Sequence, residues 1–146
     1  MAEKWDRRFM RMAKEVSTWS KDDKHKVGAV IVDPFNRVVS TGYNGPPRGT
    51  SENCGRDVLR HRSLHAELNA ILFSGQSELY DCKIYIYPHA PCAQCAAAIV
   101  QVGISEVSYL KEKPQALLTS WSSSQLAAKD IFDEADVFYY EIEDMD

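Results

Sequence analysis

The chain has 146 residues, 45% hydrophobic and 26% charged, with 17 basic and 21 acidic residues giving a net charge of −4. Length and composition describe one globular domain, residues 1–146, and exclude a disordered chain. No apolar run reaches the length of a membrane span, and the absence of a basic excess argues against a nucleic-acid partner.

The N-terminus, MAEKWDRRFM, carries charges where a signal peptide needs an apolar stretch, which points to the cytoplasm. Trp5, Phe9, Met12, Ala13 and Val16 recur on one helical face and predict a helix over 4–19. SKDDKHK breaks that pattern. VGAVIVD (27–33) is rich in β-branched residues and reads as a buried strand. DPFNR supplies a turn, and VVSTGY (38–43) reads as the returning strand of a hairpin. The Gly, Pro and Asn content of NGPPRGTSENCGRD (44–57) marks a loop. A helix follows over 65–73, ended by Gly75. KIYIY (83–87) is the third predicted strand. The segment 92–102 reads as a helix closed by Gly103, and EVSYL (106–110) as the fourth strand. A helix is predicted over 114–135, with a break near 122–124, before a fifth strand in DVFYYEI. The order α-β-β-α-β-α-β-α-β predicts an α/β fold, a three-layer sandwich around a five-stranded mixed sheet. The helix between the last two strands favours a parallel pair.

The four cysteines are Cys54, Cys82, Cys92 and Cys95. Without an export signal they are expected to be reduced. Cys92 and Cys95 form a C-x-x-C at a predicted helix start, where negative charge is favoured and thiols ionise more readily. Alone, that motif also has a redox pair or two core thiols as its alternative readings. Likewise, His65 alone is a surface or capping residue. Together the three side chains make a His-Cys-Cys set for zinc, which leaves one coordination position for water. Zinc brings the pKa of such a water to about 7. Glu67 lies two residues after His65, placed to take the water's proton and return it to a leaving group. Both motifs begin helices that follow loops or strand ends, where ligand sites gather in open α/β sheets.

The pattern H-A-E…P-C-A-Q-C matches the H-x-E…P-C-x-x-C signature of the zinc deaminases that act on nucleobases. VGAVIVD, TGYNGPPRG, HAELNAI and PCAQCAAAIVQVGI also follow the order and spacing of the cytidine/deoxycytidylate deaminase superfamily, which the chain resembles from the first helix to the fifth strand. Within it, TGYNG and HAELNAI most resemble the deoxycytidylate (dCMP) deaminases. The resemblance implies a cytidine deaminase-like fold, a zinc ion on His65, Cys92 and Cys95, and Glu67 as proton shuttle. It also implies that Asn44 hydrogen-bonds the sugar or base and that the backbone N–H of Ala66 holds the pyrimidine carbonyl. The reaction implied is hydrolysis of dCMP to dUMP and ammonia, by a homo-oligomer, hexameric in many relatives.

Two departures from the resembled pattern stand out. The segment between GYNG and HAE is short and offers only Cys54 and His61 as soft ligands, too few for the second zinc of many relatives. After the fourth strand, where some relatives place an aromatic–basic pair, the chain has KEKP. The phosphate cation is therefore sought among Lys24, Lys26 and Lys113. Arg48 in the PPRG loop is a further cation, and His89 is expected at the pocket mouth. Deamination of deoxycytidine, guanine or a tRNA adenosine, and a non-catalytic zinc module, are the competing readings.

Overall fold

Alternation decides this fold: each strand sends neighbouring residues to opposite faces of the sheet, and both faces are apolar. The computed structural model describes residues 4–111 and 122–144. The strands are β1 (Gly28–Val32), β2 (Val38–Tyr43), β3 (Lys83–Tyr87), β4 (Glu106–Leu110) and β5 (Phe138–Ile142), in the order β2-β1-β3-β4-β5. β1 runs antiparallel to β2 and β3, and β3, β4 and β5 run parallel. The predicted five-stranded mixed sheet and the parallel last pair are both observed.

Every residue of β1 is buried. Val30 and Val32, with Tyr85, Leu110 and Ile142, meet Phe9, Met10, Ala13 and Val16 of α1 (Lys4–Ser17) on one face. Ala29, Ile31, Ile84, Ile86, Val107 and Tyr109 face the other side. There they pack on α3 (Ala66–Phe73), α4 (Ala93–Gln101) and α5 (Ser123–Glu134). The predicted helical face of α1 is thus correct in period but shifted in detail. Met10 is buried, whereas Trp5 is 37% exposed and stacks on Phe9 at 5.7 Å. Asp6 ties α1 to the sheet by accepting from the hydroxyls of Tyr85, at 2.6 Å, and Tyr140, at 3.0 Å.

Two elements differ from expectation. Part of the segment predicted as a loop, and the residues after it, form a short helix, α2 (Arg56–Arg62), which buries none of its residues. With no apolar stripe, it left no periodic signal to detect. Within the described residues the last helix spans Ser123–Glu134: Ser122 caps it, accepting from Gln125 N–H while the Gln125 side chain accepts from Ser122 N–H. The supposed break in a serine run is a capping box. Lys113, Trp121 and the rest of the predicted helix before Ser122 lie outside the described residues.

Glycines set how closely the helices approach. A Cβ on Gly42 would lie 2.4 Å from both the Ala66 carbonyl oxygen and the Ala70 nitrogen. The start of α3 therefore rests directly on β2. Asn69 adds a hydrogen bond to the Tyr43 carbonyl at 2.8 Å. Gly45 and Leu64 exchange backbone hydrogen bonds of 3.1 and 2.8 Å, which fixes the chain just before His65.

Candidate metal centre

Gly28 pairs with Tyr43 on one side and Tyr87 on the other. The chain entering β1, the chain leaving β2 and the chain leaving β3 therefore meet at one end of the sheet. Helices α3 and α4 begin there. His65 is the N-cap of α3 and Cys92 the N-cap of α4, both in extended backbone. Cys95 lies in the first turn of α4 and is fully buried. Ser124 Oγ accepts from the Ala93 N–H at 2.8 Å, joining the start of α4 to that of α5.

His65 Nδ1 stands 3.4 Å from Cys92 Sγ and 3.3 Å from Cys95 Sγ. All three donor atoms lie within 4.8 Å of one another. Tetrahedral zinc with ordinary Zn–N and Zn–S bonds separates its nitrogen and sulfur ligands by about 3.5 Å. The separations and the soft donor set fit that ion. The protonation pattern agrees. The hydrogen bond from Cys95 pulls the Cys92 thiol far below its usual value, and the hydrogen bond to Cys92 raises His65. Cys95 is raised, first by that same bond and then by burial. Among the described residues this is the one cluster of His, Cys, Asp and Glu able to hold a metal ion.

Glu67 is buried in the first turn of α3, and burial raises its pKa. A buried carboxylate beside a candidate metal site is the arrangement a proton carrier needs. His65, Ala66, Glu67 and Cys92 line a cleft of about 610 Å³ together with Asn44, Lys24, His25 and His89. His89 Nδ1 lies 3.0 Å from the Ala90 carbonyl oxygen. Asn44 is held rigidly: its Oδ1 accepts from Val27 N–H at 2.9 Å and its Nδ2 donates to the His25 carbonyl at 2.7 Å. One amide hydrogen remains for a ligand.

Of the two lysines predicted for a phosphate that fall among the described residues, Lys24 lines this cleft. The Lys26 ammonium donates to the Ser20 carbonyl and is absent from the lining. Lys113 lies outside the described residues. Arg48 stacks over Phe73, 5.4 Å from the ring centre, in a separate depression. Sequence reasoning missed Arg56, Arg60, Ser63 and Gln125, which also line the cleft. The signal available for α2 was R-D-x-x-R after Gly55, an acid in the first turn and bases in the last.

The cytidine and deoxycytidylate deaminase zinc-binding region matches residues 3–111. The chain is 43% identical over 140 residues to the uncharacterized deaminase in the luxG 3′ region of Aliivibrio fischeri, covering 94% of this chain and 92% of that one. It is 37% identical over 122 residues to human deoxycytidylate deaminase, covering 75% of this chain and 66% of the human protein. It spans 58% of a probable deoxycytidylate deaminase of Caenorhabditis elegans. Among solved structures, the dCMP deaminase of cyanophage S-TIM5 in complex with dCMP and dUMP superposes with a TM-score of 0.78 at 25% identity, covering 97% of this chain and 99% of that one.

Proposed function

The chain belongs to the cytidine and deoxycytidylate deaminase family, and from that membership we propose that it hydrolyses dCMP to dUMP and ammonia. The observation that carries the reading is the meeting of His65, Cys92 and Cys95, with His65, Cys92 and the buried Glu67 lining one cleft. The likeness to a deaminase solved with dCMP and dUMP supports the substrate. We read residues 1–146 as a single deaminase domain.

His65, Cys92 and Cys95 hold the zinc ion. When bound, it supplies the Lewis acidity that ionises water near neutral pH. The backbone N–H of Ala66 and the remaining amide hydrogen of Asn44 orient the nucleotide, with C4 of the cytosine ring towards Glu67. Glu67 takes a proton from the attacking water and passes it to ring N3 as the C4–O bond forms. Glu67 then takes the proton of the new C4 hydroxyl and passes it to the amino group; the C4–N bond breaks as the C4 carbonyl forms, and ammonia leaves. Burial suits Glu67 to this exchange, since it weakens the carboxylate's hold on charge.

Ammonia release from dCMP, CMP, deoxycytidine, guanine and a short single-stranded DNA tests the substrate. Turnover of dCMP well above deoxycytidine is expected. Equal turnover of the two would remove the phosphate from the reading, and turnover of guanine or DNA alone would replace the substrate.

We further propose that the protein acts in the cytoplasm, on a small-molecule substrate and without a nucleic-acid partner. Among the described residues, no helix is long and apolar enough to cross a membrane. Self-association to a homo-oligomer, a hexamer, is part of the same proposal. Trp19, Tyr43, Leu72 and Phe73 are exposed and line one depression beside α3, a contiguous apolar surface of the kind oligomers cover. Sedimentation equilibrium checks this: a mass near six chains is expected, and a monomer at micromolar concentration rejects it.

A further inference from the structure

Nothing in the core explains why the chain forms α2, since none of its seven residues is buried. Arg56, Leu59, Arg60 and Ser63 recur at i, i+3, i+4 and i+7, the spacing of one helical face. All four line the cleft that contains Glu67. The helix therefore presents a face to the site, and that face carries two guanidinium groups.

The two arginines are engaged differently. Arg56 contacts Asp22 at 3.2 Å and Asp23 more closely, and these carboxylates raise its pKa. It is the strut that fixes α2 against the segment entering β1. Arg60 meets Asp57 at 3.7 Å, one turn back on the same helix, with the two side chains 69% and 92% exposed. A pair so exposed and so long is weak, because solvent screens it. Asp57 also lines the cleft, so it holds the guanidinium at the cleft wall without neutralising it firmly. Lys24 lines the same cleft. Its backbone N–H is held by Asp22 at 2.8 Å, in the loop that Arg56 braces.

We propose that Arg60 binds the 5′-phosphate of the nucleotide, with Lys24 as the second cation, and so sets the preference for nucleotide over nucleoside. The proposal rests on the reading of dCMP as substrate. A guanidinium offers two parallel N–H donors to a phosphate, a geometry that the single 3.7 Å contact with Asp57 does not use. The phosphate displaces Asp57, and the rigidly braced α2 keeps Arg60 over the cleft.

The test compares the zinc-loaded protein with Arg60→Gln and Arg60→Lys. In Arg60→Gln, KM for dCMP is expected to rise about 10–100-fold, the effect of losing a charged hydrogen-bond pair, with kcat changed much less. Inorganic phosphate is expected to inhibit the unmodified protein competitively with dCMP, and that inhibition weakens in parallel in Arg60→Gln. Arg60→Lys retains charge without the fork and falls between the two. Zinc content and thermal midpoint, unmoved by substitution at an exposed residue, show that the fold is intact. Unchanged KM and unchanged phosphate inhibition in Arg60→Gln overturn the role of Arg60 while leaving dCMP as substrate. If the unmodified protein itself fails to favour dCMP over deoxycytidine, the underlying reading is what fails, and the proposal falls with it.

Discussion

Glu67→Gln is expected to lower the turnover of dCMP by about 10²–10⁴-fold, the usual contribution of a positioned proton carrier. Zinc content stays at the level of the unmodified protein, because His65, Cys92 and Cys95 are untouched. KM changes little, since Gln fills the same space and Glu67 is assigned no part in holding the ground-state nucleotide. The same variant carries a second expectation of opposite sign. Burial raises the Glu67 pKa in the folded chain. A folded carboxyl with a raised pKa binds more protons than its unfolded form, so metal-free stability falls as pH rises from the unfolded value through the folded one. The penalty grows as pH rises through that range, and Gln removes it. Metal-free Glu67→Gln should therefore unfold at a higher urea concentration than the unmodified protein at pH 7. The two should converge below pH 4, where both side chains are neutral. A residue kept at a cost in stability and needed for turnover belongs to the chemistry. Unchanged activity in Glu67→Gln would instead favour a zinc-binding module without catalysis.

The legibility of this chain divides along a physical line. β-Branched runs with sharp turn signals gave strand positions to the residue: 38–43, 83–87 and 106–110 coincide with β2, β3 and β4. These segments are buried on at least one face, so their identity is dictated by the core. The metal cluster was legible because H-x-E and C-x-x-C are local, and helix N-termini place them predictably. What escaped was surface structure. Helix α2 has no apolar stripe, and its start at Gly55 lies in a stretch whose composition reads as loop. Its cations reach the cleft only through tertiary placement, through Arg56 on Asp22 and Asp23 and through the Gly45–Leu64 bridge. Lys26 illustrates the reverse error. It sits near the site in sequence, yet its ammonium is engaged by the Ser20 carbonyl. Nearness along a loop does not say which way a long side chain turns. The serine run at 122–124 shows that one composition marks both a break and a cap, and only Gln125 at the third position distinguishes them.

Cys92→Ser and Cys95→Ser are each expected to abolish zinc binding at stoichiometric concentrations and to reduce turnover below detection, because two protein ligands hold zinc far less firmly than three. The fold should survive. Both apolar clusters are built from the sheet and its helices, and neither depends on the metal to bring its members together. Circular dichroism of the chelator-treated protein should therefore retain its helix and strand signal, unlike that of a small domain whose zinc supplies the folding free energy. The thermal midpoint reports the linkage instead. Zinc at about a thousand times its dissociation constant stabilises the unmodified protein by about 4 kcal/mol, and neither serine variant should respond. Acid weakens the site in a defined direction. His65 and Cys95 both have raised pKa values in the metal-free protein, so zinc must displace their protons. Affinity therefore rises with pH and proton release accompanies uptake, which calorimetry in buffers of different ionisation enthalpy measures directly. Retention of full turnover after complete removal of zinc would break the link between this cluster and the chemistry. Global unfolding on chelation would move the ion from the reaction to the architecture.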